Sequence, residues 1–93
     1  MTDINVTRDP AADDPMRFRV VVRDDASSTE HDVAVSAADL ERLGSGRSPE
    51  AFVGACFAFL LEREPKESIL RSFDVSVIRT YFPDFERRIN DPG

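Results

Sequence analysis

The chain has one cysteine, one histidine, four glycines and no tryptophan in 93 residues. A single cysteine excludes an internal disulfide and fits a reducing compartment. One cysteine and one histidine fall short of a structural zinc set. The glycines build no phosphate loop: "GSGRS", residues 44–48, lacks a preceding strand, the full spacing and the lysine. The helix start at Ser48 is a weak anion site at best, and a plain linker accounts for it. An excess of basic charge is also missing. The net charge is −6 with a pI near 4.6, which argues against a nonspecific grip on nucleic acid. The longest apolar run, "AFVGACFAFLL" at 51–61, is eleven residues, against about twenty for a membrane span. Residues 1–15 have neither the basic nor the apolar region of a secretory signal. These absences predict a cytoplasmic protein with no membrane span and no cofactor.

What is present is alternation, then helical spacing. In "MRFRVVVR", Phe18, Val20 and Val22 share one face, and Arg17, Arg19, Val21 and Arg23 the other. After the polar run "DDASST", "EHDVAVS" puts His31, Val33 and Val35 on one side, so an antiparallel hairpin is predicted. The three arginines would guard an edge strand against other chains. "SAADLERLG" reads as a short helix capped by Ser36 and ended at Gly44. Ser48-Pro49-Glu50 is the clearest helix start, with a stop at Pro65. Between them Phe52, Cys56 and Leu60 line one side and Val53, Phe57 and Leu61 the next, with Phe59 widening the band. Such a band predicts a central helix, covered by the hairpin and by later helices or a second subunit.

"PKESILRSF" reads as another short helix. For residues 73–82 both periods compete. The helical one, capped by Asp74 with Val75, Ile78 and Phe82 in line, separates the polar residues better. Strands followed by helices predict an α+β fold: an N-terminal antiparallel β-hairpin packed on a C-terminal cluster of helices. The expected layout is a disordered tail at 1–15, one domain at 16–89 and a disordered end at 90–93.

The stretch "SPEAFVGACFAFLLEREPKESILRSFDVSVIRTYFPDFE" resembles a family of small bacterial proteins of unknown function. There, an "LLEREP"-like phrase precedes an "ILxxFDxSVIxxYFPxFE"-like one, and the likeness extends loosely over residues 16–88. The resemblance implies no activity. It implies only that Phe73, Asp74, Val75, Ile78, Tyr81, Phe82 and Pro83 act as a structural unit.

No catalytic set assembles. A nucleophilic system would need His31 beside Cys56, yet Cys56 lies in the apolar helix band, where a thiol is inert. The Asp pairs at 13–14 and 24–25 lack the spacing of a calcium loop. The expected function is therefore a non-enzymatic binding or adaptor domain, alone or as a homodimer, whose partner is itself or another protein. The alternative is nucleic-acid binding through a helix-turn-helix-like segment at 66–82, with Arg71, Arg79, Arg87 and Arg88 as contacts. Asp74, Asp84 and Glu86 interrupt those arginines, so no clean basic face results.

Overall fold

The computed structural model describes residues 2–44 and 46–90. Strand β1 (Asp3–Asp13) is followed by β2 (Met16–Arg23), β3 (Ser28–Val35), helices α1 (Ala37–Leu43) and α2 (Pro49–Arg63), and a 3-10 turn at Lys66–Ser68. Then come β4 (Ser72–Asp74), a 3-10 turn at Val75–Val77, α3 (Ile78–Tyr81) and α4 (Phe85–Ile89). The strands form one sheet in the order β1-β2-β3-β4, the first three antiparallel and β4 parallel to β3. The fold is α+β.

The hairpin forms as its alternation demands. Val20 pairs with His31 and Phe18 with Val33, so Phe18, Val20, Val22, His31, Val33 and Val35 are buried on one face. Ser36 caps α1 by accepting from the Asp39 amide at 3.1 Å, and Ser48 caps α2 by accepting from Ala51 at 3.1 Å. Between these helices the Arg47 amide donates to the Gly44 carbonyl at 3.0 Å, and Gly46 takes a φ of +79°, where a side chain would strain the turn.

Residues 3–13, expected as part of a tail, form a strand. Asp3–Asp13 pairs with β2 from Asp3↔Arg23 to Arg8↔Phe18, which places Ile4 and Val6 over the core. The folded unit thus begins at Asp3 instead of Met16. This pairing puts β2 inside the sheet, so Arg17, Arg19 and Arg23 do not guard an edge. They stand on its open face, where Arg19 lies 3.6 Å from Asp32. Such an exposed pair is worth little. At the other end, Asn90 closes α4 by donating to the Glu86 carbonyl at 3.1 Å, and 91–93 lie outside the described residues.

α2 is central, with Phe52, Val53, Cys56, Phe57, Phe59 and Leu60 all buried within the one chain. The sheet covers one side. On the other, Phe59 meets Phe85 edge-on at 5.2 Å and Phe82 at 5.9 Å. No second subunit is required to explain the width of its apolar band.

The segment after Pro65 departs from expectation. Its helix stops after one 3-10 turn, because from Ile69 the chain extends to reach β3, with the Asp32 amide donating to the Arg71 carbonyl at 2.6 Å. Residues 73–82 divide between both readings. Phe73 and Asp74 pair with Val33 and Ala34, and then the Asp74 carboxylate accepts from the Ser76 amide at 2.9 Å and starts the helical turns. With two short 3-10 turns, a strand and a four-residue helix, residues 66–82 do not contain two packed helices, and the helix-turn-helix reading loses its geometry.

Candidate functional site: an apolar cleft beside alpha2

The four arginines proposed from sequence do not converge. Arg79 is held by Glu86 at 3.0 Å, Arg88 stands 3.9 Å from Glu62, and Arg87 is exposed on α4. Arg71 lies apart, on the loop entering β4. Arg42 also reaches Glu86, at 2.8 Å, so this carboxylate pairs with two guanidinium groups and its pKa falls below the usual range, chiefly through Arg42.

His31 and Cys56 are both buried, and each is accounted for. The His31 Nδ1 donates to the Leu70 carbonyl at 2.8 Å, and Nε2 faces the Thr29 hydroxyl at 2.8 Å. Its ring leans on Phe57 at 5.3 Å. Burial pushes the Cys56 thiol from 9.0 up to about 12. Among the described residues no group of His, Cys, Asp or Glu could hold a metal ion.

Two concavities flank the segment that follows α2, apart from shallow depressions along β1 and β2. The larger, about 580 Å³, runs between β3 and the turn at 66–68, with Thr29, Glu30, Lys66, Glu67 and Arg71 in its walls. Lys66 and Glu67 in its wall are already bonded to each other and to the neighbouring loop. Lys66, only 5% exposed, donates to Asp24 at 2.7 Å and to Glu67, and Ser27 reaches Glu67 at 3.3 Å. Asp24 meanwhile accepts from the amides of Ala26 and Ser27. This cluster locks the β2–β3 loop to the turn after α2.

Acid should loosen that lock. Bonding to Lys66 holds the Asp24 carboxyl at about 2 instead of 3.8. A depressed folded pKa contributes stability above pH 3.8 and loses it as pH falls towards 2. Asp24→Asn should therefore flatten that part of the acid-denaturation curve while lowering stability at pH 7. An unchanged curve between those pH values would show that the pair contributes nothing.

The second concavity is apolar, about 160 Å³, and lies between α2, β4 and α3. Leu60, Ile69, Phe73 and Phe82 form its walls, with Leu70 and Tyr81 at the rim. These last two are the exposed large hydrophobic residues of the described chain, at 47% and 64%. The backbone explains both positions. With the Leu70 carbonyl held by His31, Ile69 takes the buried place and Leu70 is left outside. On α3 the buried line runs through Val75 and Ile78 towards Phe82, and Tyr81 falls off it. Arg63 braces the adjoining wall: its guanidinium lies over the Phe59 ring at 3.9 Å and bonds Asp84 at 2.6 Å.

Sequence reasoning placed Tyr81 in a structural unit and gave Leu70 no role beyond a short helix. The one available signal was that Tyr81 does not belong to the Val75, Ile78, Phe82 spacing. Compared with models of known families, with curated proteins and with solved structures, the chain matches none. No helix among the described residues is long and apolar enough to cross a membrane.

Proposed function

We propose that the chain is a small non-enzymatic binding domain that takes an apolar side chain of a protein partner into the cleft beside α2. The supporting observation is the convergence of Leu70 and Tyr81 on one cleft. Scattered exposed hydrophobics need no explanation, but two around one apolar depression mark an interaction site. At about 160 Å³ the cleft lies below the roughly 300 Å³ at which small-molecule sites begin, and it suits one leucine- or phenylalanine-sized side chain. Glu64 and Tyr81 are the titratable groups among its lining residues, and neither is paired with a base or nucleophile there.

N-acetyl-leucine methylamide is a suitable probe. Titrated into the protein, it should shift backbone resonances of residues lining 60–82 and change the fluorescence of Tyr81, the sole tyrosine in a chain without tryptophan. The Leu70→Ser/Tyr81→Ser double variant should lose the response and keep its stability within about 1 kcal/mol, since both side chains are exposed. Shifts centred on Thr29 and Arg71, or an equal response in the double variant, would refute the reading.

A further inference from the structure

We infer that the free edge of β1 pairs antiparallel with β1 of a second copy, joining two four-stranded sheets into one. This goes beyond the cleft reading and does not rest on it. β1 is the outermost strand: β2 pairs with one edge of Asp3–Arg8, and among the described residues no strand pairs with the other. An open strand edge is a template for another chain, and proteins usually blunt it. Here the blunting covers only half the strand. Pro10 and the register shift between Arg8 and Asp13 disrupt residues 9–13, while Asp3–Arg8 carries neither proline nor lysine.

The residues also select a register. For the two sheets to continue each other's faces, the numbers of every opposed pair must sum to an even number. A sum of twelve sets Asp3 against Asp9 and Ile4 against Arg8. A sum of eight pairs fewer of the described residues and leaves Arg8 outside. A sum of ten places Asn5 opposite its own copy, Ile4 opposite Val6 and Asp3 opposite Thr7, with no like charges facing. That register also sets Arg8 opposite Thr2. The Arg8 Nε is buried with no hydrogen-bond partner among the described residues, and such a donor is costly to leave unmet. Thr2 of the second copy brings a hydroxyl acceptor that Arg8 meets once its side chain turns out of the enclosed position it holds in the single chain. The occupant of this edge is thus a second copy of this chain.

Seven paired residues on each strand make a small interface, so the association should be transient and visible at about 0.1–1 mM. Sedimentation equilibrium and amide spectra over a dilution series test it. The expected result is a monomer–dimer equilibrium with concentration-dependent shifts confined to residues 2–8. Asn5 is exposed, and at its place on the two-fold axis a charge meets its own copy. Asn5→Asp and Asn5→Lys should each weaken the dimer about fivefold, and an equimolar mixture should restore or exceed wild-type association. A wild-type chain that stays monomeric at about 1 mM would overturn the proposal. So would a mixture no tighter than either variant alone, or dilution shifts at Leu70 and Tyr81. The last result would leave the cleft reading standing while removing this one.

Discussion

Replacing Phe57 with alanine should cost about 3–5 kcal/mol of folding stability, among the largest losses expected from a single substitution in this chain. Phe57 has no exposed surface. It sits on the face of α2 turned to the sheet, its ring 5.3 Å from His31 and 5.9 Å from Phe73. Two terms add: the transfer of the ring out of water is lost, and the surrounding strands cannot close over the void. A domain of this size holds about 5–10 kcal/mol in total, so the variant should be marginal at room temperature. Phe57→Leu, which keeps most of the volume, should cost under about 1.5 kcal/mol. Urea denaturation of the three proteins separates the cases. A loss below about 1 kcal/mol for Phe57→Ala would mean that the helix and the sheet are not packed through this ring.

The consequences reach the cleft. Phe57 supports the His31 ring, His31 holds the Leu70 carbonyl, and that bond sets Leu70 on the rim. A chain of contacts thus joins the centre of α2 to the proposed binding surface. Phe57→Leu should keep the response to N-acetyl-leucine methylamide largely intact, since the ring's place remains filled.

How far the sequence discloses this arrangement depends on how local each interaction is. The hairpin, both Ser caps and the α2 core all arise within a few residues of chain, and period and capping chemistry reveal them. β1 was obscured by Pro10, Pro15 and four aspartates. Yet Ile4 and Val6 alternate with Asp3, Asn5 and Thr7, a strand pattern that composition masked. β4 is only three residues long, and its partner, β3, lies some forty positions earlier in the chain. No local signal specifies a pairing of that kind. The same holds for the buried Lys66, whose partner Asp24 is forty-two residues away. The cleft was hidden for a different reason. Leucine and tyrosine at its rim are the residue types that fill interiors, and only the turn forced by Asp74 and the His31 bond leaves them outside.

Cys56 should react with a thiol reagent at pH 8 at least about a thousandfold more slowly in the native protein than in urea. The thiolate is the reactive form, and burial moves the thiol from 9.0 to about 12, three decades less thiolate at the same pH. The side chain has no exposed surface, so reagent reaches it only when the core opens. Because the chain has a single cysteine, the measurement needs no masking of other thiols. Native labelling within tenfold of the denatured rate would place Cys56 at a surface and restore it as a candidate nucleophile. The two core predictions also constrain each other. If labelling proceeds through global opening, Phe57→Ala, by removing about 3–5 kcal/mol, must accelerate it about a hundredfold or more. Destabilisation without acceleration would mean that Cys56 reacts through a local fluctuation of α2 that leaves the Phe57 contacts intact.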